Sequence, residues 1–356
     1  GIVVTKHGHV EPTERVRVLE AGHPVPDAAS LVAGQALAEA AEALGDGDLA
    51  LVVLSGGASA LMELPAEGVS LEDLQATTDA LLRCGATINE LNAVRSRISR
   101  IKAGGLARLL APARIVCLVM SDVLGNPLDV IGSGPCWIGA EGSEDPMSVL
   151  DRYGLADSLP RSVVRHVGES PLQAASAADV THVIIGDVHS ATTAAADAAR
   201  GLGHGPLVLT ESMRGEAREI GWFLGGVAHD LAATARECGT DCVIIGGETT
   251  VTVRGDGLGG RCQELACAAS TYMSGAPDVA LLAAGTDGTD GPTDAAGALV
   301  DGLTVANARE AGRTVEDALA QSDTYRFLDA AGALVRTGPT GSNVNDVVLL
   351  LYAPGA

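Results

Sequence analysis

Lysine is nearly missing from this sequence, and basic charge as a whole is scarce. Lysine occurs only at Lys6 and Lys102, and 23 Lys and Arg face 45 Asp and Glu for a formal net charge of −22. A nucleic-acid surface needs a basic field to displace phosphate counterions, so that class of partner is excluded. Any anionic ligand must instead be met by a local cluster of arginine or lysine. Aromatic residues make up only 2% against 47% hydrophobic, so the core has to be built from Ala, Val, Leu and Ile. No apolar run approaches the roughly 18 to 20 residues of a membrane span, and no membrane partner is expected. The seven cysteines are odd in number and contain no CxxC pair, which reads as free thiols in a reducing, cytoplasmic setting. A Walker GxxxxGK[ST] is absent too, which argues against a P-loop NTPase.

What the sequence has in quantity is glycine, 45 residues in a chain of 356. Short apolar runs alternate with Ala-rich stretches of helical period, the pattern of a mostly parallel sheet covered by helices. Strands are predicted at Ile2–Thr5, Arg15–Glu20, Leu49–Leu54, Arg114–Met120, Thr181–Ile185 and Pro206–Leu209. Helices are predicted at Ala28–Ala43, Leu71–Arg83, Ile88–Ile101, Ser190–Gly201 and Gly215–Glu237. Ser70, three residues before Asp73, reads as a capping box. From Asp241 the texture changes. Strands are predicted at Cys242–Ile245, Thr249–Arg254, Val279–Ala284 and Asp346–Tyr352, with a helix at Arg261–Met273. This places a domain boundary near residue 240, giving domains 1–240 and 241–356. The chain opens on Gly-Ile-Val-Val-Thr-Lys, without Met and already strand-like, so a preceding N-terminal piece is expected.

Four groups of residues could carry chemistry. Ser55-Gly56-Gly57-Ala58-Ser59 follows a strand, and its glycines can bare consecutive amides to an anion. An ordinary turn also needs those glycines. On a helix, Asn92, Arg95, Ser99 and Lys102 share one face, suited to a carboxylate or phosphate, or else simply solvated. Asp122 stands just past the C-terminal end of a strand, where open α/β sheets bind ligands. There it can hold Mg²⁺, accept a hydroxyl proton, or cap a turn; Ser133 and Gly134 follow in a second glycine loop. In the C-terminal region Arg261 opens a helix after Gly259-Gly260, well placed for a transferring phosphoryl group. Glu248, Asp287 and Asp290 are candidate metal ligands, with local turn-making as the competing reading. Thr340, Asn343 and Asn345 sit in a further polar glycine loop. His23 lies in a rigid turn able to touch substrate; the other histidines show no ligand spacing.

Taken in order, AGHPVPDAAS (21–30), LSGGASAL (54–61), NAVRSRISRIKAGGLA (92–107), SDVLGNPLDVIGSGP (121–135), GGETTVTVRGDGLGGRCQEL (246–265), AAGTDGTDGPTDAAGA (283–298) and TGPTGSNVND (337–346) resemble the glycerate 2-kinase family. The C-terminal portion of that family is known as the MOFRL domain. The resemblance implies an α/β fold with a Rossmann-like α/β/α N-terminal domain and a smaller α/β C-terminal one. It implies an active site in the cleft between them, and ATP, Mg²⁺ and D-glycerate as ligands with 2-phosphoglycerate as product; a homodimer is left open. By motif, Asp122 and Arg261 become the catalytic positions. Ser55, Gly56, Gly57, Ser59, Asn92, Arg95, Lys102, Ser133, Gly134, Thr340, Asn343 and Asn345 become binding positions. Cys262, Cys136 and Asn126 stand where the family usually has Asn, Thr and Asp, and the family's GKA-type lysine belongs to a stretch preceding this chain. Two other functions compete. A nucleotide-dependent hydroxypyruvate reductase would use Gly255, Gly257 and Gly260 as a GxGxxG between strand and helix, though no acidic residue ends the next strand. A non-catalytic small-molecule sensor is the third.

Overall fold

A computed structural model describes residues 1–138, 144–169 and 178–354. The chain forms two compact units, one of Gly1–Met120 with Pro127–Ile185, the other of Ser121–Asn126 with Gly186–Ala356.

The first unit runs β1 (Ile2–Lys6), β2 (Arg17–Ala21), α1 (Ala28–Glu42), β3 (Leu49–Leu54), α2 (Ala58–Leu61), α3 (Leu71–Arg83), α4 (Ile88–Ile98), α5 (Gly105–Leu110), β4 (Arg114–Met120), a 3₁₀ turn at Ile131–Ser133, α6 (Pro146–Arg152), α7 (Arg161–Glu169) and β5 (Val180–Gly186). β1 and β2 pair in parallel, and β3, β4 and β5 form a second sheet in that order. The predicted Ser70 capping box is present: Ser70 Oγ accepts from the Asp73 amide at 3.0 Å. Leu74, Leu81, Leu91, Val94, Ile98, Val149 and Val163, from α3, α4, α6 and α7, make one apolar cluster. β3 alternates, as a half-buried strand must, with Ala50 and Leu54 inward. Its other face leaves Leu49, Leu51 and Val53 exposed by 61%, 62% and 65%.

The second unit continues with α8 (Val188–Gly201), β6 (Pro206–Met213), α9 (Ala217–Cys238), β7 (Cys242–Gly247), α10 (Arg261–Met273), β8 (Val279–Gly285), β9 (Gly297–Asp301), α11 (Thr304–Glu310), α12 (Val315–Ala320), α13 (Thr324–Ala330), β10 (Leu334–Val335) and β11 (Asp346–Tyr352). Its sheet has the order β10-β9-β8-β11-β7-β6. Only β6 and β7 pair in parallel there; β11 runs antiparallel to both neighbours, and β9 to β8. The expectation of a mostly parallel sheet therefore fails in this unit, because β8 reaches β9 through a loop rather than a helical crossover.

α10 is the central helix of this core. All its residues except Arg261, Thr271 and Tyr272 are buried, which suits a helix packed on several sides. α9 approaches it through glycine: a Cβ on Gly221 would lie 2.3 Å from the Leu265 carbonyl oxygen, and one on Gly225 2.5 Å from that of Ala269.

β6 and β7, on either side of residue 240, are adjacent parallel strands of one sheet, and the compact units part at Gly186. Two further expectations are corrected. Thr249–Arg254 is not a strand. Thr250 makes only an isolated bridge to Glu216, and the amides of Thr252 and Arg254 donate to the side chains of Glu216 and Ser322. The helix predicted to Ile101 ends at Ile98, because Ser99 turns to extended backbone with φ −124° and ψ 135°.

Candidate active site

In the second unit a hollow of about 850 Å³ is lined by Asp122, Arg214, Glu248, Arg261, Asp290 and Thr324, among others. Arg261 is the first residue of α10, and its guanidinium is held on two edges. Nε and Nη2 donate to the two oxygens of Asp346 at 2.6 and 2.9 Å, and Nη1 pairs with Glu248 Oε1 at 2.8 Å. Burial opposes the charge of Arg261, yet the bonds from Asp346 and then the field of Glu248 raise its pKa above the ordinary value. Burial also raises the pKa of Glu248, helped by Asp346 and Asp122 and opposed by Arg261.

Asn345 ties this group together. Its Nδ2 donates to the Asp122 carbonyl at 2.6 Å and to Glu248 Oε2 at 3.2 Å. It holds φ +68°, a left-handed value Asn tolerates better than most residues. Asn343 in turn accepts from the Asn345 amide at 3.2 Å. The Asp122 segment is fixed at its ends: the Ser121 amide donates to Gly186, and Asn126 Nδ2 donates to Asp187 Oδ2 at 2.7 Å.

The N-terminus of α10 already holds an anion, its own. Asp290 accepts from the amides of Cys262 and Gln263 at 3.1 and 2.8 Å. Burial pushes its pKa up to about 6 against the pull of those amides. The sequence placed a phosphoryl group at this helix start; the Cys262 and Gln263 amides are engaged by Asp290, and the Arg261 side chain lines the hollow.

The first unit carries a separate polar cluster. Ser59 and Ser133 share a hydrogen bond at 2.8 Å, and Arg95 Nη1 donates to Ser133 Oγ at 3.2 Å. Asn92 Nδ2 holds the loop that carries Ser133 by donating to the Asp129 carbonyl at 3.0 Å. In that loop Gly132, Ser133 and Gly134 have φ of 57°, 65° and 58°, a conformation costly for serine and typical of functional loops. Gly57, at φ +84°, leaves room for the His23 ring, which its Cβ would meet at 2.9 Å.

The first 168 residues match a domain of unknown function, DUF4147, and residues 241–346 match the MOFRL family. The D-glycerate 2-kinase of Thermotoga maritima is 43% identical over 353 residues, 98% of this chain and 83% of that protein. The chain belongs to the glycerate kinase family. A glycerate 2-kinase of Pyrococcus horikoshii is 39% identical over 99% of this chain and 81% of its own length. An Agrobacterium vitis relative named provisionally as a hydroxypyruvate reductase is also 39% identical, over 99% of this chain and 81% of its own. The crystal structure of the Thermotoga glycerate kinase superposes with a TM-score of 0.93, covering 99% of this chain and 85% of that one.

For a glycerate kinase family member, the two candidate catalytic residues, Asp122 and Arg261, stand on one hollow, with Glu248 and Asp290 and with Asn345 bonded to its wall. Ser59, Asn92, Arg95 and Ser133 meet in the other unit, beside the left-handed Gly57 and Gly134. Ser55 and Gly56 lie in the loop before α2, which at four residues is too short to act as a helix-dipole anion site. Thr340 is exposed and donates to the Thr286 carbonyl.

Lys102 is not a ligand-facing residue. It lies beyond the end of α4, 3% exposed, with Nζ 2.6 Å from Oε2 of the fully buried Glu63. Each member of the metal trio is engaged by a protein group. Asp287 turns back to the amide and hydroxyl of Thr289, Asp290 caps α10, and Glu248 pairs with Arg261. Among the described residues no three His, Cys, Asp or Glu group so as to hold a metal ion. The GxGxxG at 255–260 has no strand before it; Gly255 and Gly257 pack on residues 321–323, where a Cβ on Gly257 would lie 2.5 Å from the Gln321 carbonyl, and Gly260 packs on Asp290.

Sequence reasoning passed over Asp346 and Glu63. The available signal was charge in an apolar context: Asp346 opens an otherwise wholly apolar strand, and a carboxylate so placed requires a partner. The six cysteines whose side chains are described, Cys84, Cys117, Cys136, Cys242, Cys262 and Cys267, are free thiols. Burial first, then Asp346 and Asp290, raise the pKa of Cys262 well above the thiol range. Among the described residues no helix is long and apolar enough to cross a membrane.

Proposed function

We propose that this protein transfers the γ-phosphoryl group of ATP to D-glycerate, giving 2-phosphoglycerate and ADP in a reducing, cytoplasmic setting. The observation that carries the reading is Arg261, gripped by Asp346 and set on the same hollow as Asp122. Phosphoryl transfer asks a protein mainly for positioning and charge stabilisation. Arg261 provides fixed positive charge for the oxygens of the transferring group. Asp122, tied through its carbonyl to Asn345, orients the attacking hydroxyl and accepts its proton. The cluster of Arg95, Ser59 and Ser133 supplies donors for a carboxylate or phosphate, and Arg95 is the residue assigned to that anion.

The hollow is acidic, with Asp122, Glu248, Glu264 and Asp290 against Arg214 and Arg261, so a bare triphosphate is poorly matched to it. That wall fits a divalent ion brought in by the nucleotide better than a resident one, since Mg²⁺ is commonly held by one or two carboxylates plus phosphates. Glu248 would hold it, and it would neutralise phosphate charge.

The test is direct. The full chain is incubated with ATP, Mg²⁺ and D-glycerate, ADP release is followed by a coupled assay, and the product is identified by ³¹P NMR. Turnover giving 2-phosphoglycerate is expected. NADH-dependent loss of hydroxypyruvate without ADP release would overturn the reading in favour of a reductase, and ligand binding with neither reaction in favour of a sensor.

A further inference from the structure

Asp346 has no part in the reaction described above, yet it makes the closest polar contact of the residue that does. It is the first residue of β11, in register with Gly247 on β7 and Gly285 on β8, and is thus pinned between two strands of the central sheet. It is 1% exposed. Both its oxygens face Arg261, one to Nε and one to Nη2, at 2.6 and 2.9 Å. Two parallel bonds to one edge of a planar guanidinium fix its plane as well as its place, which a single bond or a lysine cannot do. The backbone of Arg261 is fixed as well, because α10 begins at Arg261 and is capped by Asp290. What is left to vary is the Nη1 side, where the partner is Glu248, a carboxylate whose side chain is 41% exposed.

We propose that Asp346 is the positioning residue of the site: it locks one edge of Arg261 and thereby aims the Nη1 side into the hollow, where a ligand oxygen can replace Glu248. The proposal rests on the kinase reading above. Asp346 touches no ligand and acts only through Arg261, so its effect must depend on a guanidinium being there to aim.

The experiment is a double-mutant cycle on the full chain, with wild type, Asp346→Asn, Arg261→Lys and the double variant. Steady-state kinetics are measured for both substrates after circular dichroism has verified folding. Asp346→Asn should lower kcat by about 10- to 100-fold, the range found for residues that orient functional groups, with KM for glycerate changed by less than about two-fold. In the Arg261→Lys background the same substitution should change kcat by less than about two-fold, because no bidentate pair remains to break. Equal factors in both backgrounds, or a kcat for Asp346→Asn equal to wild type, overturn the proposal. If Asp346→Asn does not fold, Arg261→Ala leaves Asp346 intact and provides a second test. Added guanidinium should restore turnover saturably and methylammonium should not; rescue by both alike, or by neither, overturns it. Tripolyphosphate affinity, measured by calorimetry on the same proteins, should follow the same cycle. It keeps failure of the positioning role distinguishable from a wrong acceptor, which wild-type turnover with glycerate reports by itself.

Discussion

Replacing Lys102 by methionine tests whether that lysine serves the fold or a ligand. Glu63 is wholly buried, and its Oε1 accepts from the Ser99 hydroxyl at 2.7 Å and the Leu64 amide at 3.0 Å. Oε2 faces Lys102 Nζ at 2.6 Å. Lys102→Met removes that cation but leaves the carboxylate and its other donors in place. Breaking one side of a buried pair costs about 3–5 kcal/mol. For a unit of this length each kcal/mol moves the midpoint by roughly 2–4 °C, so scanning calorimetry should show unfolding about 6–20 °C lower. The double variant Glu63→Leu/Lys102→Met should recover at least half of that, since no buried charge is stranded. At temperatures where it stays folded, Lys102→Met should keep the wild-type KM values. A midpoint within about 2 °C of wild type, or a double variant no more stable than the single one, refutes the reasoning.

Further outcomes are expected elsewhere. Arg261→Ala should lower kcat by about 10²- to 10³-fold, as removal of a preorganised charge-stabilising donor does, read in the ADP-release assay. Asp290→Ala should cost about 1–2 kcal/mol in urea unfolding, through loss of the cap at α10. Glu90 closes the capping box of α4, the helix that carries Arg95. The Thr87 amide and hydroxyl, aided by Tyr153 and Arg152 against burial, hold its pKa down to about 2. A depressed acid stabilises above its unfolded pKa and loses that contribution as pH falls through the folded one. Wild type should therefore lose stability between about pH 4.5 and 2 in a way Glu90→Gln does not, measured by acid unfolding. Leu51→Lys with Val53→Glu should reduce binding of a hydrophobic dye and self-association seen by light scattering, because both side chains lie on an uncovered strand face.

The elements written in periodicity were legible: α1, α3, α10, β3, β4 and β11 follow from apolar spacing and, for α3, from the Ser70 cap. Thr249–Arg254 was misread because β-branched residues mark a pleated surface only where neighbouring strands exist to pair with, and here side chains satisfy the backbone instead. The α11–α13 helices and β9 escaped notice since their residues are short stretches whose burial is imposed by the rest of the core. At the site, Arg261 and Asp122 stood out because an arginine after paired glycines at a helix start and an acid just past a strand are local signals. Asp346 did not, as its meaning is a contact with a residue far away in the chain. Lys102 does not share the helical face of Asn92 and Arg95, since the backbone leaves the helix at Ser99.

Where α9 meets α10, two absent side chains set the spacing. Any larger residue at Gly221 or Gly225 would drive the helices apart, and the turn bearing Arg261 would shift with them. The arginine thus stands on a rod that can neither roll nor slide, and adaptation to a new acceptor has to be written into the surrounding loops. Substitutions in that seam should impair every substrate together, whereas changes in the loops can favour one over another.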